Sequence, residues 1–153
     1  MIELRKGDLF DSGAQVLVNT VNCVGVMGKG IALEFKERYP DMFKEYAKLC
    51  RRNYIKVGKV WIWHEHDLPC HDERCRYVFN FPTKEHWRNP SKLEWISSGL
   101  DDLKYRVIML EVESIAIPAL GCANGGLDWN DVRPVIESKL NDLEIPVYLY
   151  EPQ

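Results

Sequence analysis

The chain has 153 residues, of which 46% are hydrophobic and 28% charged, and a formal net charge of −3. That length favours one domain around one core. That balance excludes a disordered chain and a general nucleic-acid binder, which carries a basic face and a high pI rather than one near 5.8.

No apolar run approaches the roughly 18 residues that cross a bilayer. The start, MIELRKGDLF, has no long apolar stretch behind a basic end, so no signal peptide is expected. The odd, scattered set of cysteines, Cys23, Cys50, Cys70, Cys75 and Cys122, reads as reduced thiols in a cytoplasmic protein.

In chain order, Ile2 to Lys6 alternates and predicts a short strand. Ala14 to Asn19 (AQVLVN) is almost continuously apolar, as a strand buried on both faces is. A glycine-rich loop follows, Asn22 to Gly30. Ile31, Phe35 and Tyr39 then recur at helical spacing, and Pro40 is expected to end that helix. Met42, Phe43, Tyr46 and Leu49 mark a second helix. Val57 to Trp63 and Arg76 to Phe81 read as strands separated by a polar loop.

Ser91 to about Val107 reads as a long helix, with Leu93, Ile96, Leu100 and Leu103 on one side. Ser91 is its expected cap, and Glu94 completes a capping box. Ile115 to Leu120 is the next buried strand. A second glycine-rich loop leads into a helix over Trp129 to Leu140, which Asp128 is placed to cap, and Val147 to Tyr150 is a last strand. There is no internal repeat or linker. Strands alternating with helices predict a mixed sheet covered by helices on both faces. In such sheets ligands bind at the carboxyl ends of strands, where both glycine-rich loops lie.

The first loop is NTVNCVGVMGKGIAL, from Asn19 to Leu33. Gly25, Gly28 and Gly30 let its backbone turn and approach a ligand, and the helix it opens presents free N–H groups to an anion. The second, PALGCANGGLDW from Pro118 to Trp129, repeats that design. Paired anion nests suit a diphosphate. Neither is a P-loop, because Gly30 follows Lys29 where Ser or Thr is required. Asp8, after the first strand, either caps a turn or bonds a ligand's base. His64, His66, Cys70, His71 and Cys75 are zinc-ligand types, but their spacing matches no standard finger, so no metal is expected.

The stretches NTVNCVGVMGKGIALEFKERYP, FPTKEHWRNPS and ALGCANGGLDW, with Gly7-Asp8-Leu9, resemble the macrodomain family, the ADP-ribose-binding fold. Within it they most resemble the DarG-type DNA ADP-ribosyl glycohydrolase antitoxins and, more distantly, terminal ADP-ribose protein glycohydrolase. The resemblance covers essentially the whole chain. It implies a three-layer α/β/α sandwich, a single macrodomain over residues 1–153 and, since such antitoxins carry a further C-terminal region, either a piece of a longer protein or a standalone one.

The resemblance also implies roles. Asp8 accepts a hydrogen bond from the adenine amino group, with Leu9 beside it. Thr20, Val21 and Asn22, then Met27, Gly28, Lys29, Gly30, Ile31 and Ala32, line the distal ribose and one phosphate. Gly121, Cys122, Ala123, Asn124, Gly125 and Gly126 wrap the other phosphate, flanked by Pro118, Leu120 and Leu127. Tyr148 or Tyr150 covers the adenine face. Lys84, after Pro82 and Thr83, matches the lysine this branch uses for catalysis, with Asn22 holding a distal-ribose hydroxyl against it.

Lysine can assist departure from an anomeric carbon in two ways. Protonated, it donates to the leaving group or stabilises charge. Deprotonated, it attacks the opened sugar. The acidic partner of the protein-directed relative is missing, since Gly125 stands at its position and Asp128 lies three residues later. That absence favours a DNA substrate. His86, Trp87, Arg88 and Lys92 near Lys84 read either as a phosphodiester and base contact or as a solvated helix entry.

The implied function is removal of ADP-ribose from thymidine bases of single-stranded DNA, opposing a cognate ADP-ribosyltransferase toxin, with no cofactor and no membrane. The alternatives are hydrolysis of ADP-ribose from protein carboxylates, of ADP-ribose 1''-phosphate or of O-acyl-ADP-ribose, and a reader that binds without turnover.

Overall fold

A computed structural model describes residues 1–64 and 76–153. The strands are β1 (Ile2–Arg5), β2 (Val16–Val21), β3 (Trp61–His64), β4 (Tyr77–Pro82), β5 (Ile115–Ile117) and β6 (Val147–Tyr150). The helices are α1 (Gly30–Arg38), α2 (Pro40–Arg51), α3 (Leu93–Met109) and α4 (Trp129–Leu140), and a short 3-10 turn spans Leu9–Asp11. The sheet order is β1-β6-β5-β2-β4-β3. Neighbours are parallel except β3, which runs antiparallel to β4.

Side chains alternate across this sheet, as the period of a strand requires. Val16, Val18, Phe79, Phe81, Ile115, Ile117, Val147 and Leu149 pack on one face against α3 and α4 residues such as Ile96, Leu100, Ile136 and Leu140. Leu17, Val78 and Ala116 pack on the other face with Phe35 of α1 and Met42 and Tyr46 of α2. The result is the expected α/β/α sandwich with a mixed central sheet. Gly99 lets α3 lie against β4, since a Cβ there would come within 2.8 Å of the Phe81 ring. No described helix is long and apolar enough to cross a membrane.

Several boundaries differ from expectation. α1 does end just ahead of Pro40, at Arg38, and the same proline opens α2 at its first turn, where a missing N–H costs nothing. β2 runs on to Val21, paired with Pro82 of β4. β3 begins only at Trp61, because the preceding Val60 N–H is taken by the Asp102 carboxylate at 2.7 Å. β5 stops at Ile117, just before Pro118, which has no ladder donor.

Ser91 does not cap α3. Lys92 holds that position without a side-chain bond. The Ser91 N–H donates instead to Gly125 O at 2.9 Å, and its buried hydroxyl has no hydrogen-bond partner. Leu93, expected on the buried side, is 37% exposed. Asp128 does cap α4, accepting from Asn130 N–H at 2.9 Å. Of the zinc-ligand types noted above, only His64 lies within the described residues. It ends β3, with its ring 4.6 Å from that of Tyr77.

Candidate active site

The carboxyl ends of β2, β4 and β5 lie side by side in the sheet, so the segments leaving them meet at one edge. They border a cleft of about 1190 Å³ lined by both glycine loops, by the Gly7–Leu9 turn, by Thr83 and Lys84, and by the chain end from Tyr150 to Gln153. Pockets for drug-sized ligands run to roughly 300–1,000 Å³, so this cleft has room for an extended dinucleotide-sized ligand. The two loops approach each other at one point, since a Cβ built on Gly30 would sit 3.6 Å from Asn124 Nδ2.

The first loop is tied down by Asn22. Its Oδ1 accepts from Val24 N–H at 3.0 Å and Val26 N–H at 3.3 Å, and its Nδ2 donates to Val26 O at 2.8 Å. The Tyr46 hydroxyl, from α2, lies 2.7 Å from Asn22 O and 2.9 Å from Asn22 Oδ1 and donates between them. Burial pushes the Tyr46 phenol far up from its ordinary value, so it remains a donor. Asn22 borders the cleft, but its amide is largely committed to the loop. Its geometry is that of a positioning residue rather than of a group free to hold a hydroxyl. Removing the hydroxyl in Tyr46→Phe takes this donor from the Asn22 carbonyl oxygen, a change of about 1–3 kcal/mol. The expected result is a lower unfolding midpoint together with weaker ADP-ribose binding by calorimetry.

The second loop closes on itself. Leu127 N–H donates to Gly121 O at 2.9 Å, Cys122 N–H to Ala119 O at 3.1 Å and Gly126 N–H to Ala123 O at 3.4 Å. Gly121 (φ +73°) and Gly126 (φ +76°) take the left-handed conformation that this winding needs. Gly125 is buried against Gly121 and Ser91.

Lys84 follows β4 directly. The Thr83 N–H bonds to Val21 O at 2.9 Å, and Cys23 N–H bonds to Glu85 O at 3.1 Å, so the segment is stitched to the first loop on both sides of the lysine. Its Nζ donates to Trp87 O at 3.1 Å. Partial burial and then the nearby Lys29 charge hold the ammonium below its ordinary value of 10.5.

At the opposite end, Asp8 both borders the cleft and caps the 3-10 turn, with Oδ1 accepting from Phe10 N–H at 2.9 Å. Tyr150, not Tyr148, borders the cleft. Tyr148 lies beneath the Arg5 guanidinium, 3.7 Å from it.

Four residues expected at the ligand do not line the cleft. Met27 (1% exposed) and Leu120 (0%) point into the two cores. Gly126 and Leu127 turn away to start α4, and the Leu127 side chain packs on the core. Sequence reasoning missed the 151–153 segment, whose Gln153 Nε2 donates to Gly7 O at 3.2 Å. The available signal was its place after a parallel strand. Cys122 borders the cleft, but burial, with Asp128 adding, pushes its thiol up to about 11. Cys23 is likewise raised to about 11, mainly by burial. Neither is a thiolate at neutral pH.

The Macro domain family model matches residues 18–136. A DNA ADP-ribosyl glycohydrolase of Thermus aquaticus is 45% identical to this chain, over 99% of it and 41% of that relative. The solved macrodomain of Mycobacterium tuberculosis DarG is similar with a TM-score of 0.91 and 45% identity, over 100% of this chain and 99% of that one. Thermosipho africanus DarTG in complex with ADP-ribose is similar with a TM-score of 0.90 and 36% identity, over 99% of this chain and 41% of that one. The chain spans about two fifths of the length of the curated relatives it matches.

Proposed function

The chain belongs to the Macro domain family, and from that premise we propose that it is an ADP-ribosyl glycohydrolase acting on ADP-ribosylated thymidine in single-stranded DNA. In this reading it is the antitoxin that reverses a cognate ADP-ribosyltransferase toxin, and it works in the cytoplasm. The three described cysteines are free thiols, which suits that compartment.

The observation that carries the reading is Lys84. A partly buried ammonium stands at the edge of a two-loop cleft, at the end opposite Asp8 and Tyr150. With adenine at Asp8 and the diphosphate between the loops, the distal ribose falls beside Lys84. The bond from its anomeric carbon to the base then breaks, and the electron pair goes to the base. The Lys84 ammonium stabilises that charge or supplies the proton, water oxygen closes on the oxocarbenium-like carbon, and the proton released by water restores the balance. The second loop offers no acidic side chain between Gly121 and Leu127 to serve a protein-carboxylate substrate.

Incubation with an ADP-ribosylated thymidine oligonucleotide and, separately, with glutamate-modified protein tests the substrate. Release from DNA is expected. Release from protein alone would overturn the DNA assignment.

The state of Lys84 has a pH signature. As a cationic group it is active when protonated, so kcat/KM, which reports the free enzyme, stays level through neutral pH. It then falls as pH rises through a value below 10.5. Because Lys29 lowers that value, Lys29→Ala moves the falling limb to higher pH. A rate that instead rises across the alkaline range would identify Lys84 as a nucleophile.

A further inference from the structure

Lys84 leads into a turn that the chemistry above does not use. The Arg88 N–H donates to His86 Nδ1 at 3.1 Å and Asn89 N–H to His86 O at 3.1 Å. These bonds fix the turn and hold the Trp87 side chain outward. Trp87 is 45% exposed. It has ordered neighbours nonetheless. The Arg88 guanidinium lies over the ring at 4.6 Å, and the His86 ring centre is 5.4 Å away. Among the described residues, no carboxylate takes the Arg88 charge. Trp87 and Arg88 both border the cleft, on the side of Lys84, and the Trp87 carbonyl is the group that Lys84 Nζ holds at 3.1 Å.

ADP-ribose alone does not need this feature. Its adenine, diphosphate and distal ribose are accounted for from Asp8 to Lys84. Whatever the ribose is attached to must leave the cleft past Lys84, and Lys84 is partly buried whereas Trp87 is exposed. The first group met beyond the broken bond is the modified base, and the next is a neighbouring nucleotide. An exposed indole with an adjacent cation is the usual platform for an unpaired base and its phosphate. It gives nothing comparable to a glutamate side chain in a folded protein. The chain's net charge of −3 makes a general electrostatic explanation poor.

We infer that Trp87, braced by Arg88, is a specificity-determining residue that stacks the base next to the modified thymidine and so selects single-stranded DNA over an isolated modified nucleoside. The inference rests on the DNA reading above. Base stacking on an aromatic contributes ~1–3 kcal/mol, or roughly 5- to 150-fold in affinity.

The test compares kcat and KM on two probes: ADP-ribosylated thymidine mononucleoside and a short single-stranded oligonucleotide carrying the same modification. Wild type is expected to prefer the oligonucleotide through KM. Trp87→Ala should reduce that preference by roughly 5- to 150-fold, again through KM, and Trp87→Phe should restore most of it. ADP-ribose affinity by calorimetry serves as the folding control. If wild type turns over both probes and Trp87→Ala leaves the preference intact, the platform is wrong and the proposed function stands. A wild type that releases ADP-ribose from neither probe overturns both.

Discussion

Lys84→Ala is expected to lose on the order of 10²- to 10⁴-fold in the rate of ADP-ribose release, the contribution of a positioned proton donor or charge in a transition state. Affinity for free ADP-ribose should survive. The asymmetry follows from where the lysine sits. Its Nζ is held by the Trp87 carbonyl, and its backbone segment is pinned to the first loop through Thr83 and Glu85, so truncating the side chain disturbs neither glycine loop. In the proposed reading, adenine and diphosphate are held by other segments that line the cleft, the Asp8 turn and the two loops. Single-turnover hydrolysis, with calorimetric binding on the same preparation, separates these effects. Lys84→Arg keeps the charge but not the compact ammonium, so it should recover little of the rate. Normal turnover in Lys84→Ala would remove the lysine from the mechanism.

Gly125→Ala is expected to act on binding. A Cβ at this position would overlap the Gly121 carbonyl oxygen and the Ser91 hydroxyl, and would come within 2.9 Å of the Gly121 carbonyl carbon. One of these atoms is on a flexible side chain, but the others are backbone, and that backbone is fixed by the Leu127-to-Gly121 hydrogen bond at 2.9 Å. The second loop must therefore move away from its cradle position. Overpacking of this kind costs about 1–3 kcal/mol. Because the displaced backbone is the one that faces the ligand, at least a roughly tenfold loss of ADP-ribose affinity should accompany the lower stability. Unchanged affinity, read by calorimetry, would mean that the second loop does not hold the ligand.

The parts of the fold that local chemistry determines were legible from the residues. α4 and β6 have the expected bounds because Asp128 is a true cap and Val147–Tyr150 is a short β-forming run. The errors fell where tertiary contacts outweigh local preference. Ser91 has the spacing of a capping box, yet its N–H serves Gly125 across a loop 34 residues away in sequence. Pro40 does mark the end of α1, and the same missing donor makes it the start of α2.

The site divides in the same way. The glycine loops announced themselves by composition. Lys84 carries no local signal that separates it from a surface lysine and stood out only by family resemblance. Asn22 looked like a ligand contact, and only the folded loop reveals that its amide is tied to Val24 and Val26, with Tyr46 of α2 donating beside it. Met27 and Leu120 sit within the expected ligand-binding segments, but strand and loop geometry turns them inward.

The claim that this cleft performs hydrolysis, and does not merely read ADP-ribose, is tested most directly by one single-turnover reaction: wild-type protein in excess over a single-stranded oligonucleotide carrying one ADP-ribosylated thymidine. The account predicts that free ADP-ribose and unmodified oligonucleotide appear together, in equal amounts and at the same rate. A protein that binds the oligonucleotide tightly and leaves it modified would contradict the account.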